Sequence, residues 1–265
     1  MVSKKQTFFE RFYVWLIFII LYAPIFILII CSFNDSKTRV VWGGFTFHWY
    51  TDLFSNAEIM GAVKTSLLLT VSAALIATVL GTLACIGMAV MRRRRQKVIM
   101  TVTNIPLLNA DIVTGIAIML LFTRFAGLGF PSMLAAHVTL GVPYVILNVM
   151  PKLQQSSAYL YDAALDLGAS HFYAFRKVIL PDIMPGILAG FLLAFTISLD
   201  DFVVTYFTKG AGTNTISTVI YQQARRGINP QLYALSTILF LVILLILWLV
   251  NRISSRKSLQ EKARR

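Results

Sequence analysis

DAALDLGASHFYAFRKVILPDIMP, residues 162–185, sets charges, small residues and two prolines between long apolar runs. Its periodicity reads as helix, break, helix. Ala158, Tyr161, Ala164, Leu165 and Leu167 line one broad face, and Gly168 suits a helix end because glycine adopts the left-handed backbone conformation at little cost. Ser170 can cap the next turn. Phe172, Phe175, Val178 and Ile179 make a second apolar face, after which Pro181 and Pro185 are expected to redirect the chain. Such a hairpin suits either a membrane surface or a protein groove, and periodicity alone leaves both open.

The surrounding chain settles the class. Hydrophobic residues make up 57% of 265 and charged residues only 13%, too few to coat a water-soluble surface. A hydrocarbon core of about 30 Å takes about 20 apolar residues per helix. Six runs are expected as spans, at residues 12–30, 66–90, 98–122, 133–150, 183–207 and 232–250, with a loop at about 156–181 between the fourth and fifth. Only a helix or a closed barrel satisfies backbone polar groups in lipid, so the fold class is an all-α membrane protein, multi-pass, built as a single transmembrane domain over residues 1–265.

Charge gives orientation. Of the 24 Lys and Arg, 17 fall at the N-terminus (Lys4, Lys5, Arg11), in the second loop (Arg92 to Arg95, Lys97), in the fourth loop (Lys152, Arg176, Lys177) and at the C-terminus (Arg252, Arg256, Lys257, Lys262, Arg264, Arg265). The other seven lie in alternate loops, so the positive-inside rule puts both termini and the loop at 156–181 in the cytoplasm. The run at Arg92 to Arg95 reads as a cytoplasmic stop signal near anionic lipid rather than a nucleic-acid site. No small-x-small cleavage site follows the first run, which reads as an uncleaved anchor. Cys31 and Cys85 lie in separate runs, His48, His137 and His171 on different segments, and no G-x-x-x-x-G-K-[ST] occurs. The residues therefore point to no metal site, no catalytic residue and no nucleotide bound by this chain.

The loop resembles the cytoplasmic coupling loop of ABC-importer permeases, whose pattern is Glu-Ala-Ala, three residues, Gly-Ala, then an apolar stretch ending in Leu-Pro. Here Asp162, Ala163 and Ala164 are followed by Gly168 and Ala169, then Phe175, Leu180 and Pro181. Asp162 replaces the family's usual glutamate and keeps its sign. Ser32-Phe33-Asn34, the aromatic stretch 42–50, Asp111-Ile112-Val113 and Ser198-Leu199-Asp200-Asp201 resemble the spermidine and putrescine permeases. The resemblance implies a six-helix, type I importer permease in a bacterial inner membrane. It also implies as partners a second homologous permease, two ATP-binding subunits carrying ATP and Mg, and a periplasmic or extracellular substrate-binding protein.

Acids inside spans point to the cargo. Asp111 sits thirteen residues into the third run, about 20 Å from the cytoplasmic end, where a carboxylate costs about 2.5–3.5 kcal/mol and so implies function, and Asn104, Pro106 and Asn109 are expected to add polar atoms and a kink to the same helix. Asp200 and Asp201 come late in the fifth run, and successive helical residues point about 100° apart, so both face one cavity only if it is wide or the helix is locally unwound. Pairing with Arg124 is the competing role. A polyamine needs spaced carboxylates for its ammonium groups and aromatic faces for its stems, which Asp111, Asp200, Asp201, Tyr144, Tyr206, Phe202 and Phe207 offer. Iron, sulfate or phosphonate are the competing cargoes of the same fold, and a proton-coupled secondary transporter is the reading from another class.

Overall fold

The computed structural model describes residues 4–36, 41–155, 158–226, 229–242 and 244–245. Residues 156–157 of the expected loop, 243 and 246–250 of the sixth run, and the basic residues Lys37, Arg39 and those from Arg252 onward lie outside them.

Two compact units emerge from the chain. In the first, α1 (Lys4–Ser32) has an apolar stretch with no part buried against its own unit, so its surface suits lipid or another polypeptide. After α1 the chain turns back through a single bridge between Asn34 and Phe45 and enters α2 (His48–Ser55). Asn34 holds this turn with its side chain. Its amide donates to Val41 O at 2.9 Å, its carbonyl accepts from Gly43 N at 2.8 Å, and its main-chain oxygen accepts from the buried Trp49 indole at 2.7 Å. Asn56 then caps α3 (Ala57–Ala89), its carbonyl accepting from the N–H groups of Glu58 and Ile59.

The second unit carries the candidate site. The run expected as one span at 98–122 is divided into α4 (Arg93–Thr103), α5 (Ile105–Leu108) and α6 (Asp111–Phe125), joined by extended backbone at Asn109 and Ala110. Pro106 explains the division: it has no N–H to continue α4, but in the first turn of α5 none is needed. Asp111 therefore opens a helix, and the depth inferred from an unbroken third span does not apply.

Beyond α7 (Phe130–Gln155) and α8 (Ala158–Asp166), the fifth run also departs from expectation. Helix begins at α9 (His171–Ala174), widens into one π-helical turn over Phe175–Ile179, and continues as α10 (Leu180–Asp200), 30 residues or about 45 Å in all. Pro181 and Pro185 do not redirect the chain. Leu180 N–H reaches back to Phe175 O, five residues away, so Pro181 enters a fresh α-helical turn where its missing donor is tolerated. The break falls later, at Asp201, before α11 (Val203–Thr208) and α12 (Ile216–Arg226). The sixth run begins as a helix, α13 (Pro230–Val242). Among the described residues, four helices are long and apolar enough to cross a bilayer: residues 11–32, 57–89, 130–155 and 171–200.

Small residues bring these helices together, as is usual where lipid provides no hydrophobic drive between helices. A Cβ on Gly190 of α10 would stand 3.0 Å from Val145 Cα of α7, and one on Gly186 would stand 2.8 Å from Asn148 O. Val145, Ile146 and Val149 of α7 pack with Ala74, Ala77 and Cys85 of α3 and with Ile183 and Ala194 of α10. At the other end of the unit α6 packs on α11, with Gly115 against Val204.

Candidate functional site

A cavity of about 360 Å³ opens where the two broken runs meet α7. Its wall takes Pro106 and Leu107 from α5, Asp111 from α6, Tyr144 from α7, Thr196 and Asp200 from α10, and Asp201 and Phe202 from the joint before α11. Four of the five pathway residues expected from sequence thus converge, and the volume is at the low end of the about 300–1,000 Å³ of small-ligand sites. The fifth, Tyr206, is not in the wall. Its ring lies tilted against Phe202 at 5.4 Å, and Phe202 in turn lies 4.4 Å from Tyr221, so an aromatic cluster backs that side.

The breaks decide the electrostatics. Asp111 is exposed in the first turn of α6, where the positive end of the helix dipole accommodates a carboxylate. Asp200 is the exposed last residue of α10, beside unsatisfied helix-end carbonyls that add negative potential. Neither acid has an ion pair or hydrogen bond among the described residues. Arg124 is paired with none of the three acids; it sits in the last turn of α6, thirteen residues or about 20 Å along the helix from Asp111. Such an arrangement attracts cations.

Asp201 differs from its neighbour. Its side chain is 7% exposed and caps α11, Oδ1 accepting from Val204 N at 3.2 Å and Oδ2 from Thr205 N at 2.8 Å and Thr205 Oγ1 at 2.9 Å. Sequence reasoning passed over His137, which lies 3.6 Å from Asp201 Oδ2 and bonds Ser198 and Thr205. The available signal was a lone histidine in an apolar run, where burial requires partners for both ring nitrogens.

The loop at 158–181 is a second, separate feature. Gly168 has φ +84 and closes α8 with paired bonds, Gly168 N to Leu165 O at 2.8 Å and Ala169 N to Ala164 O at 3.0 Å. Ser170 Oγ then accepts from Tyr173 N at 3.3 Å. Leu167 and Phe172 point outward, 89% and 72% exposed, while Tyr161 stays half-buried and its hydroxyl meets His171 Nδ1 at 3.1 Å. Asp162 and Ala163 are exposed; Ala164 and Ala169, with Gly168, line a shallow depression between α8 and α9. Phe175, Leu180 and Pro181 belong to the helix beyond, within and just after the π turn.

Residues 77–259 match the family of binding-protein-dependent transport system inner membrane components. This chain belongs to that family. It is 36% identical over 241 residues to the spermidine/putrescine transport system permease protein PotC of Escherichia coli, covering 91% of each chain. With the putrescine transport system permease protein PotI of Escherichia coli it shares 38% over 230 residues, 84% of this chain and 82% of that one. PotC of Haemophilus influenzae is 34% identical over 255 residues, 96% and 99% of the two chains. Among solved structures, a bacterial ABC transporter that imports the acidic polysaccharide alginate shares the fold at TM-score 0.73 and 16% identity, covering 96% of both chains. An amino acid ABC transporter aligns at TM-score 0.55 and 19% identity over 78% of this chain and 95% of that one. The family places the chain in the inner membrane as a transport component.

Proposed function

We propose that this permease forms one half of an ATP-driven importer for polyamines, putrescine or spermidine, and that its cavity receives their ammonium groups. The observation that carries this reading is the pair of unpartnered carboxylates, Asp111 and Asp200, presented by two different helix ends to one cavity beside Tyr144 and Phe202. An anion such as sulfate or phosphonate would be repelled there. The relatives named for spermidine and putrescine support the same cargo. Six apolar runs support six spans, and the distribution of basic residues supports cytoplasmic termini. The partners are a second permease and two ATP-binding subunits that hold ATP and Mg, engaged through Asp162, Ala163, Ala164, Gly168, Ala169 and the outward Leu167 and Phe172. A substrate-binding protein delivers cargo; the alginate importer, solved with its periplasmic protein, supports that partner.

Uptake by proteoliposomes holding the complete importer tests the proposal. Labelled putrescine and spermidine should accumulate only with internal ATP and should be displaced by each other, but not by sulfate, phosphonate, iron chelates or amino acids. Uptake without ATP that a protonophore abolishes would overturn the mechanism. Displacement by an anion or an iron chelate would overturn the cargo.

A further inference from the structure

His137 is outside the cavity wall, yet it is only 2% exposed and uses both ring nitrogens. Nδ1 lies 2.7 Å from Ser198 Oγ in the last turn of α10, and Nε2 lies 2.8 Å from Thr205 Oγ1 in α11. The directions of these bonds are set by the tautomer. With Thr205 giving its one hydroxyl hydrogen to Asp201, whose Oδ2 lies at 2.9 Å and main-chain O at 3.3 Å, the ring donates from Nε2 to Thr205 and accepts at Nδ1 from Ser198. The result is a directed chain, Ser198 to His137 to Thr205 to Asp201, that leaves α10, passes through α7 and returns at α11. Ser217 Oγ adds a bond to Asp201 O at 2.9 Å. Around the imidazole lie hydroxyls, Leu69, Leu199 and one charged side chain, Asp201, and the chain straddles the extended residue that ends α10.

This joint gives two adjacent aspartates different tasks. Asp201 has extended backbone, ψ 124, and turns its carboxylate back to cap α11, which leaves Asp200 as the terminal residue of α10 at the cavity. Without a clamp, α10 has little to stop it from winding on through 201–203, a sequence Asp-Phe-Val with neither glycine nor proline. Winding on would satisfy the end carbonyls of α10, draw Asp201 out of its cap and lay residues 203 and 204 as a further turn over Asp200. We propose that His137 is a positioning residue for cargo capture: by tying Ser198 to Thr205 it fixes the α10–α11 joint and keeps Asp200 at the open end of α10, facing the cavity. The role in capture rests on the cation reading of the cavity; the geometric role does not.

The test uses the complete importer in proteoliposomes, in a background carrying Cys31→Ser and Cys85→Ala. Asp200→Cys is labelled with a cationic methanethiosulfonate, alone and combined with His137→Leu, His137→Gln or Thr205→Val. In otherwise unaltered chains the same three changes are assayed for putrescine uptake per ATP hydrolysed. His137→Leu and Thr205→Val should each slow labelling at least fivefold and lower uptake per ATP at least tenfold, with assembly and ATPase rate held within twofold. His137→Gln, whose amide offers one donor and one acceptor, should recover at least half of both quantities. A slowing of less than fivefold in both variants, or no recovery with Gln, overturns the proposal; if His137→Leu fails to assemble, Thr205→Val decides on the same threshold. Asp200→Asn separates the two claims, since unchanged uptake per ATP there refutes the cation site while the labelling rates still judge the clamp.

Discussion

Replacing Asp200 and Asp201 by Asn, one at a time, should damage the importer in opposite ways. Asp200 is exposed and unpartnered, so Asp200→Asn removes a charge without breaking a bond. Two unit charges about 4 Å apart at an effective dielectric constant of about 20 attract by about 4 kcal/mol. If half of this survives desolvation of the ammonium, about 2 kcal/mol is lost, or roughly a 30-fold fall in cavity occupancy. Asp201→Asn keeps one acceptor but turns an amide NH₂ toward a donor, because both carboxylate oxygens accept: Oδ1 from Val204, Oδ2 from Thr205 N–H and hydroxyl. One charge-assisted bond is lost and a buried donor left unmet, a cost of about 1.5–3 kcal/mol. The assay is putrescine uptake per ATP hydrolysed in proteoliposomes, with the thermal midpoint of the purified complex alongside. Asp200→Asn should cut uptake per ATP at least tenfold and leave the midpoint unchanged; Asp201→Asn should lower the midpoint by several degrees. A lowered midpoint for Asp200→Asn with uptake intact would refute the division of roles.

The docking loop and the helix seams give two further expectations. Gly168→Val places a β-branched residue at φ +84, where no neighbour clashes, so only backbone strain of about 1–2 kcal/mol is added; α8 should fray, and ATPase activity should uncouple from uptake while the spans stay assembled, with Gly168→Asn close to wild type. Gly190→Val drives side-chain atoms onto Val145 Cα, which a Cβ alone approaches to 3.0 Å, and overpacking of about 1–3 kcal/mol should reduce the yield of monodisperse complex in size-exclusion chromatography.

Local chemistry was legible wherever a residue type answers a local need. Gly168 at φ +84 and Ser170 on Tyr173 N match their reading as helix end and cap, because both depend on a few neighbouring atoms. Asp111, Asp200, Asp201 and Tyr144 were selectable because charge and hydroxyls in apolar runs are costly without a purpose, and they line one cavity. The ends and breaks of helices were harder. Hydropathy averages over about 20 residues and does not register an extended pair such as Asn109 and Ala110, nor the single residue Asp201. Pro181 was misread for a related reason: a π turn absorbs a missing N–H that an α-helix would not.

The sequence by itself determined the class of molecule, since apolar length and the placement of basic residues act through the bilayer and need no tertiary contact. It also determined which acids were available. Only the tertiary structure decided their employment. Asp200 and Asp201 are identical side chains on consecutive residues, and residue type does not distinguish them. Where α10 ends, the Asp201 carboxylate is taken up by Val204 and Thr205, three and four residues on, and Asp200 is left facing the cavity. His137 on α7 joins that arrangement through Thr205, 68 positions away, and through Ser198. Hydrogen bonds between distant helices form only once the helices are packed, so the part of His137 could not be read along the chain.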